Sequence, residues 1–532
     1  MTFIPNLICY KITLLFHQEF LMKHAFAAGV TLLLALPVTP AAWANEQRLD
    51  IVAPWEIKGP DPAISGYVFG RMRVAETLVD TDSNGQLAPG LASAWEVSED
   101  GLTWRFTLRE GATFHDGSAV TAEAALHSLE VARAKPGILD SAPIQQMRAD
   151  QGAVVIELES PFSPLPALLA HSTALILADA AFADNGDVVA MIGSGPYQVE
   201  ALSPPQRMTV TRFEDYWGEP ANIASASYLA VSRGETRALM AESGDADIVY
   251  TLDPASQARL ARNARLALHA EPLPRTIMLK LNAGHALLED ARARQALSMA
   301  IDRQGIAAGL LRTPEAAAAE LFPDSLGLWH LGLDPADAQD IEAAKALLAE
   351  LGWEAGRDGM LERDGQPFAL TLRTYADRPE LPVVATALQD QWRDIGVALE
   401  VAVGNASEIP SGHHDNSLEV GLVGRNYGLV PNPLGSLMDD IGSDANSMGG
   451  DWGTMNWRDE EVAQWLDALR QATDEQTLDD LAPLVAERLH QQMPLIPVAW
   501  YQQTAAVNSA LEGFSIDPLE RSYRIDQMGW AE

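Results

Sequence analysis

Apolar positions along the chain switch between a spacing of two and a spacing of three to four, with short breaks between. "LDIVAPW" (49–55) is an apolar run that ends in the turn-rich "EIKGPDP", the pattern of a strand leading into a loop. In "WEVSEDGLTWRFTLR" (95–109) residues alternate on both sides of Asp100-Gly101, and Trp104, Phe106 and Leu108 share one face, which predicts a hairpin. Ala293, Ala296, Leu297, Ala300 and Ile301 recur at helical spacing, as do Ile341, Ala344, Leu348 and Leu351 before the helix-stopping Gly352. In "VVATALQDQWRDIGVALEVAV", Val384, Leu388, Trp392 and Ile395 mark one helical face and Gly396 ends the helix. Val397, Leu399, Val401 and Val403 then alternate as a strand. Helix followed by strand, repeated, predicts α/β layers. No repeat, low-complexity tract or long linker intervenes, so separate lobes would be joined by single strands or tight loops, which suits a hinge.

One apolar run has a different character. In "MKHAFAAGVTLLLALPVTPAAWANEQ" (22–47) a basic start, Met22-Lys23-His24, precedes the apolar stretch Ala25 to Leu36 and the small-x-small pattern Ala42-Trp43-Ala44. This is the layout of a secretory signal peptide. Residues 1–21 match no targeting layout, so the expected start is Met22, the expected leader 1–44 and the expected mature terminus near Asn45. The lone cysteine, Cys9, lies in that leader, and no cysteine stands at the cleavage site to carry a lipid. A freely diffusing periplasmic protein without disulfides is expected. With 532 residues the chain is long enough for two or three compact units, and its 47% apolar and 20% charged residues are those of a globular protein. The net charge of −37 argues against nucleic acid and anionic lipid as partners, because both require a basic footprint.

Five motifs occur in order: "LAPGLASAWEVSEDGLTWRFTLREGATFHDG" (87–117), "GSGPYQV" (193–199), "RFEDYWGEPANI" (212–223), "ETRALMAESGDADIVY" (235–250) and "ARARQALSMAIDRQGI" (291–306). Together they resemble the family 5 extracellular solute-binding proteins, the peptide, nickel and opine receptors of ABC importers. The resemblance covers essentially the whole mature chain. It implies an α/β, two-lobe periplasmic-binding-protein-like fold of type II, with a ligand cleft between the lobes and an extra subdomain in lobe I. By analogy lobe I spans 45–275 with the subdomain at about 76–192, lobe II spans 276–497, and 498–532 returns to lobe I. "RTIMLKLNAG" (275–284) would be the outgoing crossover and "PLIPVAWYQQ" (494–503) the return. Such a protein would be a monomer without a cofactor that closes on a small solute and delivers it to permease subunits in the membrane.

The resemblance also points to the cleft. The segment after "LEVGLVG" supplies side chains to it, which nominates Arg425, Asn426 and Tyr427 in "VGRNYGLVPNP": a guanidinium for a carboxylate, an amide and a ring. The alternative makes Arg425 an internal ion-pair partner and Tyr427 a core residue. Trp55, Glu56 and Lys58 stand at a strand end expected to face the cleft, with Tyr67 and Arg71 beyond, and "GGDWGTMNW" offers Asp451, Trp452 and Asn456. Each has a bland alternative as ordinary packing or a solvated pair. Peptide-binding members carry an aspartate where Leu429 stands. Nickel-chelate receptors carry an arginine and a tryptophan near Thr173 and Ser141. Neither arrangement recurs, whereas the aromatic positions at Tyr427 and near Trp55 do. Charges of both signs beside aromatics suit a zwitterionic solute: a short peptide, or a nickel or other metal chelate of the opine-metallophore type.

His413 and His414 in "GHHD" are weak candidates for a metal site and motivate an alternative, a secreted metal-dependent hydrolase. A sensory or chaperone role on the same fold is a third reading. The sequence has no H-E-x-x-H, G-x-S-x-G or Gly-Lys-Ser/Thr phosphate cradle, so nothing in it nominates an enzyme.

Overall fold

A computed structural model describes residues 48–531 apart from 136, 377 and 442–448, so the expected leader and Cys9 lie outside the described residues. A large mixed sheet organises the chain. Its strands are β1 (Leu49–Ala53), β2 (Tyr197–Ser203), β3 (Arg207–Arg212), β4 (Ser225–Ala230), β5 (Ile248–Tyr250), β6 (Leu266–Leu281), β7 (Ala369–Tyr375), β8 (Ala398–Gly404), β9 (Val420–Asn426) and β10 (Leu495–Asn508). They lie in the order β8-β7-β9-β6-β10-β5-β1-β4-β3-β2.

Two long antiparallel strands, β6 and β10, run through both halves of this sheet and divide it. Their pairing is regular from Leu266↔Asn508 to Pro272↔Gln502 and resumes at Thr276↔Trp500. Between these points Leu273, Pro274 and Arg275 face the single residue Tyr501. The surplus on one strand and the missing N–H of Pro274 break the ladder there, as expected for a bulge. The expected boundary at 275 falls inside this bulge, while that at 497 lies before the residues opposite it, Trp500 to Gln502.

The cores follow the same division. Lobe I buries Ile51, Ala53, Tyr197, Met208 and Tyr228 on one face of its sheet, and Val52, Ala238 and Val249 on the other. Both faces are covered, which is why "LDIVA" reads as a near-continuous apolar run. Lobe II buries Met278, Leu297, Trp392, Leu422 and Ile496 in a separate cluster. A further cluster, including Phe106, Leu129, Ile156 and Leu168, belongs to a four-stranded sheet built from Ala92–Val97, Thr103–Leu108, Ala153–Leu158 and Ile144–Asp150, with the helix Ala122–Arg133. The hairpin expected around Asp100-Gly101 forms its first two strands, with Gly101 at φ 70° in the turn. The helix Glu380–Asp394 buries Val384, Leu388 and Trp392, and Gly396 at φ 80° turns the chain into β8.

Candidate functional site

At the bulge, a cavity of about 190 Å³ opens between lobe I, the crossover strand and the end of β9. Arg71, Arg73, Arg275 and Arg521 line it together with Glu76, Asp80 and Glu520, and Asn426 closes the lobe II side. Four guanidiniums gather here inside a strongly acidic chain, balanced by these three carboxylates and by Asp526 beside Arg73.

Arg71 is the best-built of these groups. It lies in the last turn of the helix Pro62–Arg71, which Asp61 starts by accepting from the N–H of Ala63 at 3.0 Å. The residue is only 8% exposed, and its guanidinium lies 4.0 Å over the ring of Trp55 and 5.7 Å from that of Tyr67. Its Nε donates to the Glu520 carbonyl at 2.6 Å. Burial alone would lower its pKa, but Tyr523 and Glu520 outweigh that and leave it raised. Arg73 is held by Asp80 at 3.2 Å and Asp526 at 3.4 Å, and Arg521 reaches the same Asp80 at 3.2 Å. Burial would raise the Asp80 pKa, yet these two guanidiniums keep it lowered. Glu76 accepts from Ser194 at 2.8 Å, Tyr216 at 3.0 Å and Trp217 at 3.1 Å, and burial raises its pKa. His171 also lines the cavity. Its Nδ1 accepts from the N–H of Thr173 at 3.2 Å, so the ring proton sits on Nε2. Burial, then the charge of Arg521, lowers its pKa to about 4, so it is a neutral N–H donor near pH 7.

Of the sequence-nominated residues in lobe I, Trp55, Tyr67 and Arg71 come together. Glu56 and Lys58 do not join them: both are exposed, and their backbones serve the turn, Glu56 accepting from the Tyr67 hydroxyl at 2.7 Å and Lys58 donating its N–H to Ser65 at 2.9 Å. The Arg425-Asn426-Tyr427 trio is split by strand geometry at its first two members and by the end of the strand at the third. β9 continues through Asn426, and successive strand residues point to opposite faces. Asn426, directly opposite Arg275, therefore shares the cavity face with it. Arg425 instead bonds Asp440 at 2.8 Å, an aspartate left 3% exposed, and Tyr427 is 1% exposed, edge-on to Phe322 at 5.1 Å. The expectation that Arg425 and Tyr427 face the cleft is thus corrected: one is an internal ion-pair partner and the other a core residue.

Asp451, Trp452 and Asn456 lie beyond the far end of β6 and do not line the cavity. Lys280, five residues and about 17 Å of strand past Arg275, donates to the carbonyls of Gly450 at 2.6 Å and Asp451 at 3.1 Å. Trp452 packs edge-on to Tyr375 at 6.1 Å. Asn456 donates to Asn282 and Asn416, each at 2.8 Å. His414 is 3.0 Å from Asp451, whereas His413 is buried in the helix Glu408–His414, where burial and then Lys280 lower its pKa to about 4. Their rings stand perpendicular at 5.5 Å, and no group of three or more potential metal ligands gathers among the described residues.

Arg275, Glu520 and His171 were not nominated from sequence. The one available signal was a charged residue heading the apolar crossover "RTIMLKL", since an arginine beside a buried strand needs a partner.

The model of the bacterial extracellular solute-binding proteins, family 5, matches residues 86–447. The chain belongs to this family. As a family 5 protein it is 26% identical over 502 residues to the nickel-binding periplasmic protein of Escherichia coli (strain K12), covering 90% of this chain and 94% of that one. It is 27% identical over 346 residues to the glutathione-binding protein of Salmonella typhimurium (strain LT2), spanning 62% of this chain and 64% of that protein. The crystal structure of a nickel ABC transporter protein from Bacillus halodurans superposes with a TM-score of 0.82 at 23% identity, covering 91% of this chain and 100% of the other. The fold is therefore the two-lobe α/β fold of family 5 binding proteins.

Proposed function

We propose that this chain captures a small zwitterionic solute bearing carboxylates, a short peptide or a metal chelate, by closing its lobes over the arginine-lined cavity. It then hands the solute to the permease of an ABC importer without chemical turnover. The observation that carries this reading is the meeting of Arg71, Arg73, Arg275 and Arg521 at one cavity in a chain of net charge −37. Guanidiniums bind carboxylates bidentately, and the Tyr67 ring lining the cavity beside Arg71 offers apolar cover. Relatives named for nickel and for glutathione support the solute class. Here a metal would be cargo inside a chelate. Export through the leader 1–44, cleavage near Asn45 and a soluble, unlipidated periplasmic monomer complete the proposal, and terminal sequencing of secreted protein should begin near Asn45.

Native mass spectrometry of co-purifying solute, followed by calorimetry and small-angle scattering with glutathione, alanyl-alanine and nickel(II)–histidine, tests the function. Binding of at least one with compaction of the chain is expected. A protein that binds none of them, or that converts one chemically, overturns it.

A further inference from the structure

The C-terminal loop 517–524 is rigidly built and touches both lobes. Asp517 organises it, accepting from the N–H groups of Leu519 at 3.0 Å, Arg521 at 3.1 Å and Ser522 at 2.9 Å. Arg521 fastens it to lobe I by donating to the Ala170 carbonyl, and the N–H of Tyr523 donates to the Arg71 carbonyl at 2.8 Å. Leu519 points the other way and is 7% exposed within the lobe II core. Between these anchors Glu520 takes φ 56°, a conformation that a residue with a side chain keeps only when its surroundings impose it.

What that conformation achieves is the placement of one carboxylate between two arginines. Oε2 of Glu520 lies 3.2 Å from Nη2 of Arg275, and Oε1 lies 3.6 Å from Nη2 of Arg71. Arg71 is tied to the same residue a second time, through the Glu520 carbonyl. Arg275 has no other carboxylate within ion-pair distance among the described residues, and its remaining close partner is the Tyr501 ring at 5.8 Å. Arg73 and Arg521 are neutralised elsewhere, by Asp80 and Asp526. Arg275 is therefore the cavity guanidinium with the least to lose by changing partner, and it stands in the bulge where the lobes meet.

We propose that Glu520 is a specificity-determining residue that stands in for a solute carboxylate. It neutralises Arg275 until solute enters; the incoming carboxylate then takes over Arg275 while Glu520 stays with Arg71. This rests on the function proposed above and adds a selection rule to it. A carboxylate can be exchanged for a carboxylate, whereas a neutral or purely cationic molecule would have to leave Arg275 and Glu520 paired. Glu520 thus sets a threshold that small anions meet only weakly.

Succinate, with neutral succinamide as its control, tests the exchange on the wild type, Glu520→Gln and Glu520→Asp, read by tryptophan fluorescence and by the shift in melting temperature. With Arg275 released, Glu520→Gln should bind succinate roughly tenfold more tightly than wild type, with succinamide unchanged. Glu520→Asp, whose shorter arm retains the charge, should fall between them, and it carries the test should the glutamine variant fail to fold. Equal succinate affinity in all folded forms, no detectable succinate binding by the variants, or an equal gain for succinamide overturns the exchange. Wild type that binds glutathione, alanyl-alanine or nickel(II)–histidine while the variants show no succinate gain defeats this inference alone. Wild type that binds none of those three defeats the proposed function instead.

Discussion

Lys280 offers a quantitative test of the lobe II interior. It is 0% exposed, and its ammonium donates to the carbonyls of Gly450 at 2.6 Å, Asp451 at 3.1 Å and Thr454 at 3.4 Å. Burial lowers its pKa from 10.5 to about 7, and the pull of Asp440 and Asp451 in the other direction does not restore it. That shift corresponds to about 5 kcal/mol of differential cost for holding the charged form inside the fold. The sign follows from proton counting. Below pH 7 the folded and unfolded chains both carry the proton, so the full cost is present. Between about 7 and 10.5 the unfolded chain binds the proton and the native chain does not, so stability rises with pH. Across pH 7 to 9 the gain is about 2 kcal/mol. His413 has its pKa lowered to about 4 by burial and then by Lys280, so it does not change charge in that window. Lys280→Met fills similar space and removes the titration, at a roughly constant cost of about 1–3 kcal/mol for the carbonyls that lose a donor. Urea unfolding of both proteins at pH 6, 7, 8 and 9 gives the difference, wild type minus variant. It should be nearly level at the acid end and climb by about 2 kcal/mol from pH 7 to 9. A difference independent of pH, or one that falls, refutes the reasoning.

Two substitutions test how the trio around Asn426 is divided, and a third tests the packing of the bulge beside it. Arg425→Ala should destabilise the protein by about 3–5 kcal/mol in urea, because Asp440, 3% exposed and with its pKa already raised by burial, loses the guanidinium that compensates its charge, while calorimetry should find solute affinity unchanged. Tyr427→Phe should cost about 1–3 kcal/mol, since the hydroxyl meets the Met278 sulfur at 3.6 Å and interacts with the buried Asp440 carboxylate, and it should also leave affinity alone. Gly428→Ala should cost about 1–3 kcal/mol in thermal or urea unfolding, because an added Cβ overlaps the Pro274 ring at the bulge and meets Leu519 at 3.3 Å.

Elements with a strong period were legible from sequence because burial enforces that period. Trp392 lies on the apolar stripe of a 15-residue helix that buries Leu388 and Val384 with it, and one glycine with positive φ then starts β8. The cavity was harder to read because its charges come from positions 71, 73, 275 and 521 and meet only through the return of β10 and the loop that follows it. Arg71 and Arg73 share one window, but no window joins them to Arg275 or Arg521, and an isolated arginine looks the same whether it faces a cavity or solvent.

The trio shows a different limit, one that the sequence could have exposed. The alternation that marks "LEVGLVG" as a strand does not stop where the side chains become polar; β9 keeps its pairing through Asn426, opposite Arg275. Arg425 and Asn426 are consecutive residues on one strand, so their side chains leave opposite faces, while Tyr427 follows the strand in a bend with its N–H held by the Pro274 carbonyl at 2.7 Å. Reading the period to its end would have forced a choice between Arg425 and Asn426. The buried Asp440 decides that choice, since a carboxylate enclosed in the lobe needs a cation and Arg425 is the one within 2.8 Å. Asn426 is then left opposite Arg275 at the cavity, so lobe II presents an amide there rather than a guanidinium.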